Sequence, residues 1–101
     1  MANYTFEIRK NGDLFGAGWG GFAIHCTQRD LTASIWLDGR EENFQYAIHI
    51  EGQGVKKSGY GKPEIPTRVS LGEDEFEFHV FESPEAPSYP GVSDPVLTTE
   101  K

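Results

Sequence analysis

Cysteine is the scarcest informative residue. Cys26 stands alone, so no disulfide can close within the chain, and a reducing, cytoplasmic setting is expected. Long apolar runs are missing too. Nothing approaches the roughly 18 residues from which a transmembrane helix is read, and no membrane partner is expected. Met1-Ala2-Asn3-Tyr4-Thr5 has neither the basic nor the apolar region of a secretory leader. Cations are few: Lys and Arg total 9 against 16 Asp and Glu, a formal charge of −7. Affinity for a phosphate backbone comes mostly from cations, which argues against nucleic acid as the main partner. The acidity suits solubility and steering toward basic partners. Helical periodicity and internal repeats are absent as well.

What the chain has in abundance is rings and turn residues. Phe, Trp and Tyr make up 13% of the 101 residues, within a hydrophobic content of only 37%. A single domain of this size must then build its core from large side chains, each burying much area. Asn11-Gly12 is the strongest turn signal, since a type I′ hairpin needs positive φ at both central residues. Before it, Tyr4, Phe6 and Ile8 alternate with Thr5, Glu7 and Arg9, the period of a half-buried strand. A two-residue turn sets Ile8 opposite Phe15, Phe6 opposite Ala17 and Tyr4 opposite Trp19, with Leu14, Gly16 and Gly18 on the outer face. The phase then changes. Phe22, Ile24 and Cys26 form the next inward set, and Gly20-Gly21 is where a bend takes the chain round a barrel corner or across to a second sheet.

Thr27-Gln28-Arg29-Asp30 reads as a four-residue loop that pairs Cys26 with Leu31, Ile24 with Ala33 and His25 with Thr32. The same register places Trp36 beside Gly21, a ring covering a strand glycine. After the turn at residues 38–43, alternation pairs Leu37 with Phe44, Ile35 with Tyr46, Ala33 with Ile48 and Leu31 with Ile50. Trp36 then faces Gln45, Ser34 faces Ala47 and Thr32 faces His49 on the outer side. Residues 52–66 show no period and read as a long connection. Residues 67–71 and 75–81 form a last hairpin around Gly72-Glu73-Asp74, with Val69 opposite Phe78 and Leu71 opposite Phe76. From Ser83 onward, repeated proline excludes a helix or central strand, and 83–101 reads as an extended tail. The expected fold is all-β: a compact antiparallel meander of about six strands over residues 1–82, shaped as a small barrel or a two-layer sandwich.

Candidate chemistry is sparse. His25, His49 and His79 each lie between inward apolar residues and so face away from the core, with His25, Thr32 and His49 in one row across three strands. On a concave wall they could form a ligand, metal or acid–base site. Neighbouring strands lie about 4.8 Å apart, which starts the two outer imidazoles about 10 Å apart and works against a shared ion. Gly16-Ala17-Gly18-Trp19-Gly20-Gly21 fits G-x-G-x-x-G, but a strand follows it where a dinucleotide site needs a helix. Lys56, Lys57 and Lys62, three of the nine basic residues, surround Tyr60 in the glycine-rich stretch. With the N–H groups of Gly54, Gly59 and Gly61 they offer a site for an anion. Cys26 falls in the inward phase, opposite to His25, as a buried and inert thiol does. Pro84-Glu85-Ala86-Pro87 and Pro87-Ser88-Tyr89-Pro90 have the PxxP form without a flanking arginine.

No catalytic constellation and no cofactor site emerges. The leading expectation is a small acidic binding protein of the inhibitor or sequestering type, in contact with another protein through Trp19, Trp36, Tyr60, Lys56, Lys57 and Lys62. The alternative is a small-ligand or metal-binding barrel, as an enzyme or otherwise, using His25, Thr32 and His49 with His79. Outward Trp36 and Phe81 also support a third reading, a homo-oligomer subunit.

Overall fold

Among the described residues, positive-φ positions at Asn11-Gly12, Gly20, Arg29, Gly52 and Gly72 mark breaks between successive strands, of which there are eight. The computed structural model describes residues 3–38 and 42–85. The strands are β1 (Tyr4–Lys10), β2 (Asp13–Trp19), β3 (Ala23–Gln28), β4 (Leu31–Leu37), β5 (Phe44–Ile50), β6 (Gly54–Gly61), β7 (Thr67–Leu71) and β8 (Asp74–Glu82). They form two antiparallel four-stranded sheets, ordered β2-β1-β8-β7 and β3-β4-β5-β6. The fold is all-β and a two-layer sandwich, not a closed barrel. The expected single meander is thereby corrected: β1 lies between its hairpin partner and β8, the strand furthest from it in sequence.

The core is the inward phase of both sheets. Phe6, Ile8, Phe15, Phe76, Phe78 and Val80 face Ile24, Ala33, Ile35, Phe44 and Ile48, all buried. Rings join the layers: Tyr46 of the second sheet stacks on Phe78 of the first, with centroids 4.8 Å apart and planes at 20°. At about 1.5–3 kcal/mol for each large apolar side chain removed from water, these rings dominate the stabilisation of so small a domain.

The first hairpin turns where Asn11-Gly12 was expected, with φ of 52° and 85°. Its register slips by one residue, because a β-bulge at Phe15 puts Ile8 opposite Gly16 and Phe6 opposite Gly18. Gly16 and Gly18 therefore share the inner phase rather than the outer one. The bulge has a physical return: Phe15 enters the core 6.1 Å from Phe76, and Gly16 leaves room for Cys26 of the opposing sheet, where any Cβ would collide with its Sγ. Cys26 is buried, as its phase required.

The chain crosses between sheets at residues 20–22, where Gly20 has φ 85°. A bend at these glycines is as expected, but Phe22 is not inward. It sits in the crossing itself, 54% exposed, with its carbonyl accepting from Leu37 N–H. The next turn is two residues, not four: Arg29 takes φ 59°, so Cys26 pairs with Ala33 and Ile24 with Ile35. Trp36 accordingly lies opposite Ala23, two residues from the Gly21 position predicted for it. The β4–β5 register matches the sequence reading at every pair. The last hairpin also turns tighter than expected, through Gly72 at φ 62°, and Val69 meets Phe76 instead of Phe78.

The stretch 52–66 holds the largest correction. Much of it is β6, paired along β5 from Phe44–Gly61 to Ile50–Gly54 with a bulge at Lys56. No alternation marks it because most of the strand is exposed. Its glycines answer to the neighbouring strand: a Cβ on Gly59 would meet the Tyr46 ring, and one on Gly61 would collide with Phe44 and Thr67. The expected tail at 83–101 lies outside the described residues from 86 onward.

Candidate functional site

The outer face of the second sheet brings together more of the sequence-selected residues than any other described surface. Three rows of side chains cross its four strands. The first is Ala23, Trp36, Gln45 and Tyr60; the second is His25, Ser34, Ala47 and Ser58. Thr27, Thr32, His49 and Val55 form the third. The centre is made of small residues between rows of larger ones, so the face is hollow. A concavity of about 370 Å³ opens there, lined by His25, Thr32, Ser34, Trp36, Ala47 and His49. Its floor, Ser34 and Ala47, is buried.

Hydrogen bonds fix this wall. His25 Nδ1 and Ser34 Oγ are 2.8 Å apart, and Thr27 Oγ1 lies 2.8 Å from Thr32 Oγ1. A Ser–His contact is the first requirement of a nucleophile and base. Here Ser34 lies in the middle of β4, between β3 and β5, where backbone N–H groups serve the ladders on either side. Among the described residues, Ser34 is flanked on both sides by strand and not by a turn that could offer two N–H donors to an oxyanion. The bond positions the imidazole and satisfies a buried hydroxyl.

The twelve positions of these three rows include no Asp, Glu, Lys or Arg, in a chain that is 25% charged. The outer face of the first sheet is the opposite. Arg9 Nη2 lies 3.7 Å from Glu7 Oε1, Arg68 Nε lies 3.5 Å from Glu77 Oε2, and His79 Nδ1 lies 4.0 Å from Glu7 Oε1. The uncharged character thus belongs to one face.

Several sequence-selected residues fall into place and others do not. Trp36 and Tyr60 share a row two strands apart, or about 10 Å, and Tyr60 is 70% exposed. Lys56 and Lys57 lie on β6, at the edge of the same sheet, with Lys62 just beyond it. Trp19 is separated from them, on β2 of the first sheet, where its Nε1 donates to the Ser83 carbonyl at 2.9 Å. His79 likewise belongs to the first sheet, and its ring packs on Phe81 with centroids 4.8 Å apart. It cannot share a site with His25. The expected row of His25, Thr32 and His49 is also corrected: Thr32 pairs with His49, while His25 sits opposite Ser34, one row away. All three still line one concavity. Gly59 and Gly61 pair along β5 as extended strand, which removes the anion nest built on their N–H groups.

Among the described residues no three His, Cys, Asp or Glu side chains gather as a metal site. Among the described residues no helix is long and apolar enough to cross a membrane. Residues 16–21 run from β2 into the crossing and on to β3, a strand, so the glycine pattern serves packing and chain direction. What the sequence reading passed over is the floor. Ser34 and Ala47 were already opposite each other in the β4–β5 register, and two small residues between Trp36 and His49 are the signal of a hollow.

Comparison with protein-family models, with curated proteins and with solved structures found no match.

Proposed function

We propose that the protein is a non-catalytic binding protein, of the inhibitor or sequestering type, that contacts another protein through the outer face of the second sheet and its β6 edge. One observation carries the reading: an uncharged face bearing Trp36 and exposed Tyr60 borders the strand that holds Lys56 and Lys57. Protein interfaces have this layout, with aromatic residues enriched and charge depleted at the centre, inside a polar rim. The lysines make the β6 edge locally positive on a chain of net charge −7, which orients an acidic patch of the partner against it.

A photo-cross-linking residue placed at Ser58, on this face, is compared with one at Ser70, on the outer face of the first sheet. The expected result is a partner adduct from position 58 that is lost in Trp36→Ala/Tyr60→Ala, with unchanged thermal melting. Equal adducts from position 70, or adducts that survive the double substitution, would refute the assignment. A covalent dimer of the chain itself would instead favour the oligomer reading. The small-ligand reading is favoured by the concavity, where His25, Thr32 and His49 meet in a volume of about 370 Å³, at the lower end of small-molecule sites.

A further inference from the structure

We infer that the concavity between Trp36 and His49 receives a neutral sugar ring; this rests on reading the second sheet's outer face as the binding surface. The argument is one of elimination by charge and hydrogen bonding. The lining holds no carboxylate, ammonium or guanidinium group, so a charged ligand would shed water without gaining a counterion. A hydrocarbon would cover the exposed His49 imidazole and give it no hydrogen-bond partner, at a cost. The occupant must therefore be polar, uncharged and apolar on one side. A pyranose has this make-up: hydroxyls around its rim and a flat patch of C–H groups on its face.

The wall matches it group by group. Trp36 presents an indole, half-buried and thus already held in place, against which the C–H face can lie. Thr32 and Ser34 offer hydroxyls, His25 and His49 offer imidazoles, and Ala47 keeps the floor low between them. The His25–Ser34 bond holds one of these partners in position before binding, which reduces the ordering cost on association. Tyr60, two strands and about 10 Å from Trp36, offers a second ring to a longer chain, with the Gln45 amide between them. A free sugar and the end of a glycan carry the same ring, and the two arms below separate them.

The test titrates isotope-labelled protein with glucose, galactose, mannose and N-acetylglucosamine, and in parallel probes an array of immobilised neutral oligosaccharides. The expected result is a shift of the Trp36 indole N–H together with His25 and His49, while the Trp19 indole N–H stays still. Response to the free sugars assigns a monosaccharide site; response on the array alone assigns a glycan chain spanning Trp36 and Tyr60. Trp36→Ala should weaken binding by roughly tenfold or more, and Ala47→Leu, which fills the floor and leaves the indole in place, should do the same. Silence in both arms, binding that requires sulfate or carboxylate on the sugar, or binding unchanged by both substitutions overturns the inference. If sugars fail while the cross-link from position 58 still depends on Trp36, the binding face stands and the sugar assignment alone falls.

Discussion

Gly16 shows how one residue can be set by a neighbour that no local pattern reveals. On an outer face it would tolerate any side chain; on the inner face it opposes Cys26, whose Sγ and Cβ occupy the place of its missing Cβ. Gly16→Ala should therefore cost about 1–3 kcal/mol, since a well-packed core gives way only by moving side chains or backbone. Urea unfolding measures it, and the added substitution Cys26→Ala should recover part of the loss by removing the sulfur. A cost within experimental error would mean that the two sheets lie further apart here than described. Burial of Cys26 was legible from the alternation of its strand. The reason for Gly16 was not, because the collision lies between sheets. Asn11 carries a similar hidden duty. Its place in the turn is written in the sequence, but its side chain also clamps the last hairpin, donating from Nδ2 to Asp74 at 2.9 Å and accepting from Glu75 N–H at 2.9 Å.

At the level of the strand, legibility follows the side-chain pattern. The pairing of β4 with β5 could be read in full because apolar residues recur at every second position of both strands, Leu31, Ala33, Ile35 and Leu37 against Ile50, Ile48, Tyr46 and Phe44. β6 could not, since an edge strand in water has no buried face to impose a period of two. Its exposed lysines and bulge are also the usual means of keeping an open edge from pairing with other chains. What betrays β6 is the neighbour's rings, which predict unequal costs for its glycines. Gly61→Ala would drive a methyl group into both the fully buried Phe44 and Thr67, whereas Gly59→Ala meets the Tyr46 ring, hydroxyl end first. Gly61→Ala should destabilise by about 1–3 kcal/mol and Gly59→Ala by less, with faster amide exchange along β6 in the first variant. The reverse order would place β6 in another register. The concavity shares this partial legibility: its walls, Trp36, Thr32 and His49, stand out as residues, while its floor shows only when the small residues Ser34 and Ala47, paired across β4 and β5, are read together.

Across the whole molecule, the turn of the first hairpin announced itself and the long-range pairings did not. Hairpins carry glycine and asparagine at fixed places. The contact of β1 with β8, from Tyr4–Glu82 to Lys10–Phe76, has no connecting turn to mark it. β8 is central to the first sheet and supplies Phe76, Phe78 and Val80 to the core. A chain ending at Gly72 should therefore not fold, showing collapsed amide dispersion in an NMR spectrum, whereas a chain ending at Glu85 should keep the wild-type dispersion. A well-dispersed spectrum from the shorter chain would make the second sheet with β1 and β2 self-sufficient. The order of strands also sets a schedule. Synthesis delivers β1 first and its inner neighbour last, so during translation Phe6 and Ile8 wait beside an open backbone edge until residues 74–82 have left the ribosome. For that interval the nascent chain holds a sticky, half-made layer, and the cell must finish the molecule before the molecule can finish its first sheet.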